Sequence, residues 1–401
     1  MKLDKKVFCI YPFSSIFLGA DAGIKPCCSA LNDVGNLNDN TIDQILQHEN
    51  FKSIRRSILE GKWHKNCGQC LKLESMNARS ERSTLNETGF DRWEKINEET
   101  PLTEDFFRLE RIDLRWSNTC NLACNYCYEY FSSQWSNIKG IKVNDVKDEY
   151  QESLFQLIEK SKDQIINVNL LGGEPLLQKQ NQRLIDLLHS KRYYILTNLA
   201  VPMRSNKIAD QLLTEDYVDW GVSFETIGDR YEYVRHNAKW NVFNDNLKYI
   251  KERRPNVIVN AHPLYCTYSA FNLVDYYDYV LENGFKGIYW CVIQNIEGLN
   301  VLNLPTELKI KAIDEIDRVQ AKYPNVSGID HLLDIKDKIR QSTNDKFVEA
   351  KERFNVRLGL FPKKQDSEFL IWTDEIENRY LTNKEKSFQE LWPEIYSYLK
   401  K

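Results

Sequence analysis

"LERIDLRWSNTCNLACNYCYEY", residues 109–130, carries two signals. Its first part, "LERIDLRWS", alternates apolar and polar residues as a half-buried strand does. Its second part holds Cys120, Cys124 and Cys127 with the spacing C-x3-C-x2-C. A structural zinc site or an ordinary ferredoxin cluster takes four protein ligands. Three ligands leave one metal position open, and an open position can bind and change a small molecule. On spacing alone the choice lies between an iron–sulfur cluster and a zinc loop whose fourth ligand sits elsewhere.

Outward from this stretch the strand pattern repeats. "VKDEYQESLFQLIEKS" reads as an amphipathic helix and "INVNLLGG" as a buried strand ending in glycines. Then "RYYILTN", "YVDWGVSF", "NVIVNAHP" and "GIYWCVI" read as strands, with helical patterns between them. Six strands alternate with helices over 109–305. Such alternation builds a parallel sheet with helices outside, because parallel strands need crossover connections. Six units are too few for the eight-stranded barrel. The expected fold is therefore α/β, a partial (β/α)6 TIM-like barrel with functional groups at the C-terminal strand ends. Residues 306–401 read as a C-terminal helical extension without a chemical motif. Residues 79–108 are polar and charged and read as a linker. Residues 1–78 form a cysteine-rich module with one clear helix, "NTIDQILQHENFKSIRRSILEGK".

The chain has 401 residues and a net charge of -4, so no basic field points to nucleic acid. No apolar run is long enough to span a membrane. "MKLDKKVFCIYPFSSIFLGADA" imitates a short leader, but Asp4, Pro12, Ser14 and Ser15 interrupt it. A cytoplasmic location is the expectation. Of ten cysteines, eight lie in the first third of the chain. In a long chain without a convincing leader, such clustering points to metal or redox work rather than disulfides.

Cys120, Cys124, Tyr126 and Cys127 resemble the C-x3-C-x-aromatic-C signature of the radical S-adenosylmethionine (AdoMet) superfamily. The resemblance implies a [4Fe–4S] cluster held by the three cysteines, with AdoMet chelated at the open iron. It implies a 5′-deoxyadenosyl radical that takes a hydrogen from substrate, and a flavodoxin- or ferredoxin-type electron donor. Tyr126 would pack near the adenine. "LLGGEPLL", residues 170–177, ends the second strand where the family has its Gly-Gly-Glu-Pro stretch. Gly172 and Gly173 allow close backbone approach or φ > 0, Glu174 offers a carboxylate to the AdoMet ammonium, and Pro175 stiffens the exit. In "ILTNLA", Thr197 and Asn198 would face AdoMet. In "VSFETIGDRYEYVRH" the family's Ser-x-Asp becomes Ser223 and Glu225. Ser223 would reach the ribose or the AdoMet carboxylate, and Glu225 ribose, substrate or neither. Arg235 is either a carboxylate partner or a surface arginine on a helix. "CVIQN" would give backbone contacts to adenine.

Cys9, Cys27, Cys28, Cys67 and Cys70 form a second constellation. "C-x2-PF … G-x2-PCC … VGNLNDN … C-x2-C" resembles the SPASM or twitch modules of the same superfamily, here placed before the barrel. The resemblance implies an auxiliary [4Fe–4S] cluster on Cys9, Cys27, Cys67 and Cys70, with structural zinc as the rival and Cys28 as a buried small apolar side chain. Cys266 and Cys291, near the ends of the fifth and sixth strands, are either hydrogen-atom donors to a substrate radical or core residues. The expected reaction oxidises, crosslinks or epimerises a peptide or protein and passes an electron to the auxiliary cluster. The alternatives are dehydrogenation of a sugar or aminocyclitol alcohol, and a metal-binding interaction protein without catalysis.

Overall fold

The structure, a computed structural model, describes residues 2–143, 146–293, 296–343 and 368–400. Its framework is one sheet. Strands β1 (Ser15–Leu18), β2 (Gly23–Lys25) and β3 (Gly35–Asn36) come from the N-terminal module. Strands β4 (Arg111–Leu114), β6 (Asn167–Leu170), β7 (Arg192–Thr197), β8 (Tyr217–Val222) and β10 (Ile258–Ala261) are the barrel strands. Between these lie two short strands, β5 (Ala123–Cys124) and β9 (Arg235–His236), which pair with each other. The sheet order is β10-β8-β7-β6-β4-β1-β2-β3, and every pairing from β10 to β1 is parallel.

The two faces of the sheet differ because strand side chains alternate. Ile112, Leu114, Val168, Leu170, Ile195 and Trp220 are fully buried on one face. Amphipathic helices such as Asp148–Ser161 and Trp240–Arg253 cover that face with Leu154, Ile158, Phe243 and Leu247. The opposite, inner face carries Asp113, Asn169, Tyr194 and Asp219 in one row, with Phe17 of β1 beside Asp113.

The sixth barrel strand is present only in reduced form. Ile288 bridges Ala261, and β12 (Cys291–Val292) pairs in parallel with β11 (Leu264–Tyr265). Pro263 separates β10 from β11, and its carbonyl accepts from Cys291 N. Proline has no N–H to give to the ladder, so the fifth strand breaks there and the pairing is split.

Two further expectations change. The segment 79–108 is not a plain connection, because Glu81–Glu99 forms a helix started by a capping box on Ser80 and Ser83. Its few apolar residues do the packing: Trp93 is fully buried and meets Phe13, while Phe90 meets Phe8. The long helix expected near 40–61 is two helices, Ile42–Gln47 and Glu49–Leu59. His48, with ψ 147°, ends the first and caps the second through its ring nitrogen. The leader-like run is core: Phe13, Ile16 and Leu18 are 0% exposed, and the last two lie in β1.

The C-terminal part is helical as expected, with Thr306–Lys322, Ile329–Thr343, Glu368–Asp374 and Pro393–Leu399. A π-helical turn, Glu375–Tyr380, follows Asp374. Among the described residues no helix is long and apolar enough to cross a membrane.

Candidate metal and AdoMet site

The cysteine loop leaves the C-terminal end of β4, where a barrel places its chemistry. Local hydrogen bonds fix its shape. Ser133 Oγ accepts from Cys120 N and donates to Cys120 O, both at 3.1 Å. Ser132 Oγ donates to Leu122 O, and the Trp135 indole donates to Cys124 O at 2.9 Å. Pairing of β5 with β9 sets Cys124 opposite Arg235.

Cys120 and Cys124 are buried and Cys127 is half-buried. Burial pushes the Cys120 and Cys127 thiols up, and each also feels Cys124. Donors point at the sulfurs. Leu122 N and Asn198 Nδ2 approach Cys120 Sγ at 3.5 and 3.8 Å, and Arg235 Nη1 approaches Cys124 Sγ at 3.9 Å. Such donors stabilise thiolates and are the groups that tune an iron–sulfur cluster.

The Gly-Gly-Glu turn docks on this loop. Gly172 has φ +133°, and a Cβ at Gly173 would lie 2.5 Å from the carbonyl oxygens of Asn118 and Thr119. The close approach that Gly173 permits is thus to the cysteine loop. Glu174 N donates to Thr119 O at 2.8 Å. The Glu174 carboxylate is fully buried. It accepts from Thr197 Oγ1 and Asn198 N at 2.8 Å, and from Leu176 N at 3.1 Å. Burial raises its pKa to about 7 against these three donors. Thr197 therefore turns its hydroxyl and Asn198 its backbone N toward Glu174, while the Asn198 side chain faces Cys120 and Asn121, and Pro175 opens the short 3-10 turn that follows Glu174. Leu199, next in the chain, is fully buried at φ +54°. A leucine there stores backbone strain of about 1–3 kcal/mol.

A second buried group sits beside Cys124. Arg235 and Glu225 pair at 2.7 Å, 4% and 0% exposed, and the Tyr126 hydroxyl donates to Glu225 at 3.1 Å. The Arg235 guanidinium lies 5.5 Å from the Tyr126 ring centroid. Burial alone would lower the Arg235 pKa, but Glu225 raises it, and it stays charged. Arg235 is not the surface residue that one sequence alternative allowed. Ser223 is half-buried, and its backbone N donates to Thr197 O. Cys266 is fully buried near Glu225, and burial raises its pKa to about 12. Cys291 is exposed at the start of β12, so it is not a core residue. Gln294 and Asn295 of the "CVIQN" stretch lie outside the described residues.

In the N-terminal module Cys9, Cys27, Cys67 and Cys70 line one pocket, together with Pro26, Trp63 and His64. Burial raises the thiol pKa of Cys9 and of Cys27, and the neighbouring cysteines add to it. Cys28 points elsewhere and is exposed, not buried as its sequence reading supposed. Among the described residues no three His, Cys, Asp or Glu side chains are close enough to grip one metal ion. In a cluster each thiolate holds its own iron, so all-cysteine sets with open spacing suit iron–sulfur chemistry.

Sequence reasoning missed the wall behind the cysteine loop. Ile376 and Leu381 of the C-terminal extension pack with Ala123 and Trp135, beside Cys127, Trp372 and Tyr380. Lys384 Nζ donates to Tyr233 O at 2.5 Å, and burial lowers its pKa to about 7. No motif marks these residues. The one visible hint was their aromatic content.

The fold places a three-cysteine loop at the C-terminal end of a strand of a partial barrel. Residues 114–280 match the family model described as the radical SAM superfamily, and residues 9–71 match that of SPASM, an iron–sulfur cluster-binding domain. The chain carries a radical SAM domain and, N-terminal to it, a SPASM domain. The first domain implies a [4Fe–4S] cluster and AdoMet, and the second an auxiliary iron–sulfur cluster. No curated protein matches the chain. Among solved structures it is similar to SuiB of Streptococcus suis bound to S-adenosylmethionine: 15% identity, 71% of this chain and 63% of that one, TM-score 0.41. It is also similar to anSMEcpe with bound AdoMet and Kp18Cys peptide: 18% identity, 54% of this chain and 62% of that one, TM-score 0.40. The chain thus spans a little under two thirds of the length of these proteins.

Proposed function

We propose that the protein modifies a peptide or protein substrate by radical AdoMet chemistry. Cys120, Cys124 and Cys127 hold the AdoMet-binding cluster, and Cys9, Cys27, Cys67 and Cys70 hold the auxiliary one. The observation that carries this reading is the pair of separate cysteine sets, three at the end of β4 and four around one pocket, joined through a single sheet. When bound, the cluster and AdoMet supply a radical that removes a hydrogen atom from the substrate. Asn198, Leu122 N and Arg235 aim donors at the Cys120 and Cys124 sulfurs, which favours the thiolates that a cluster takes. Glu174 is braced by Thr197, Asn198 and Leu176, yet a carboxylate accepts about four hydrogen bonds. One acceptor site remains for an ammonium donor. Tyr126 is locked by Glu225, so its ring offers a fixed apolar face for a base. The polar inner face of the sheet, with Asp113, Asn169, Tyr194 and Asp219 in one row, receives the substrate chain.

Iron and sulfide per chain test this after anaerobic reconstitution. Native protein is expected to hold about eight irons, and a Cys120, Cys124, Cys127→Ala variant about four. Four irons in the native protein and none in the variant, with zinc bound, would remove the auxiliary cluster from the reading.

A further inference from the structure

The inner face of the sheet holds a guanidinium with unused donors. Arg115 follows β4, and its Nε and Nη1 are buried with no hydrogen-bond partner. Some arginines near the sheet have carboxylate partners: Arg92 and Arg108 pair with Glu110, and Arg235 pairs with Glu225. The acid two residues earlier, Asp113, is taken by the Asn169 amide at 2.5 Å. Leaving buried N–H groups of a guanidinium unmatched is costly, because charged groups lose more than neutral ones when stripped of water.

Aromatic rings surround this cation. The guanidinium lies 5.0 Å from the Phe17 ring centroid and 5.7 Å from that of Phe131. Phe131 is itself packed by Tyr128 and Tyr130. Such rings hold an arginine in place without using its hydrogen-bond donors. Across from it the exposed Cys28 thiol is within electrostatic reach of Arg115, Asp113 and Glu81. The N-terminal module, through Phe17, and the barrel, through Phe131, therefore meet around Arg115, whose Nε and Nη1 donors are unused.

We propose that Arg115 is the specificity-determining anchor at this junction and binds a carboxylate of the substrate, either an acidic side chain or a free C-terminus. A planar guanidinium fork matches a planar carboxylate. A phosphate dianion fits less well, because Asp113 and Glu81 face the same space. That the anchored molecule is the substrate rests on the reading proposed above. The test needs no turnover, so a failed anchor leaves that reading standing, and failed AdoMet cleavage leaves the anchor standing.

Cys28 is the reporter. Cluster-loaded protein, with and without AdoMet, is alkylated anaerobically with iodoacetate or iodoacetamide. In each case a thiolate forms an S–C bond and iodide leaves. Peptide mass mapping gives the iodoacetate-to-iodoacetamide rate ratio at Cys28 and at exposed Cys291, the internal reference. An anchor worth one charge-assisted hydrogen bond raises the Cys28 ratio about ten-fold over that of Cys291. Asp113 and Glu81 would repel iodoacetate, so the rise reports Arg115. In Arg115→Met the ratio falls to that of Cys291 while Tm does not fall. Millimolar N-acetylglycine, mimicking a C-terminus, or glutaric acid monoamide, mimicking an acidic side chain, suppresses the rise, and the stronger of the two identifies the source. Equal ratios at the two cysteines in native protein would overturn the proposal. So would a ratio unchanged in Arg115→Met, no suppression by either carboxylate, or suppression by AdoMet alone.

Discussion

Arg235 and Glu225 carry opposite charges where almost no water reaches, and each is the other's main compensation. Removing one partner leaves an uncompensated buried charge. Arg235→Ala is expected to cost about 3–5 kcal/mol of unfolding free energy in urea titration. Tyr126→Phe removes only a donor to Glu225 and should cost about 1 kcal/mol. Asp113 makes a pH prediction with a definite sign. Burial raises its pKa from 3.8 to about 6, against Asn169, Arg115 and Arg111, with Glu81 adding to the rise. The folded protein thus holds this proton more tightly than the unfolded chain. The contribution is fully present below pH 3.8 and is lost as pH rises through about 6. The total is about 3 kcal/mol. In Asp113→Asn that part of the slope of stability against pH, measured by denaturant unfolding between pH 4 and 7, should vanish.

At the scale of elements, the docking of the Gly-Gly-Glu turn on the cysteine loop is backbone against backbone. Gly173→Ala puts a methyl 2.5 Å from two carbonyl oxygens that have no flexible end to move. Destabilisation of about 1–3 kcal/mol is expected, with iron lost first from the three-cysteine loop. Cluster absorbance and Tm report it together. The alternation of strands and helices after residue 109 was legible because its period is local. Helix Glu81–Glu99 was not, because Leu85, Phe90 and Trp93 are spread thinly among polar residues. Its burial depends on Phe8 and Phe13, far away in sequence. In the site, the cysteine spacing and the Gly-Gly-Glu stretch could be read directly. The partners of Glu174 could not, since Thr197 and Asn198 reach it across a strand crossover. Nor could the fate of Arg235, which depends on β9 pairing with β5.

At the scale of the whole molecule, the C-terminal extension shields the back of the cysteine loop. Leu381, 2% exposed, packs in the cluster that contains Ala123 and Trp135. Leu381→Asp places a carboxylate there. The iron–sulfur absorbance should then bleach in air several times faster than in native protein, although Cys120, Cys124 and Cys127 are all retained. Equal bleaching rates would mean that this wall does not exclude oxidant. Sequence offered no motif for the extension because its part is coverage, which any apolar set of suitable shape can supply.

β1 has hydrogen-bonded neighbours on both sides, β4 and β2. The four-cysteine module is therefore not a cassette that can be clipped off and fused elsewhere. A cut between residues 78 and 109 would strip β4 of one neighbour and leave β1 with a bare flank. Each fragment would then carry an unpaired rim of amides and carbonyls, the kind of edge on which chains stack into aggregates. Engineers wishing to exchange the module would have to move β4 along with it.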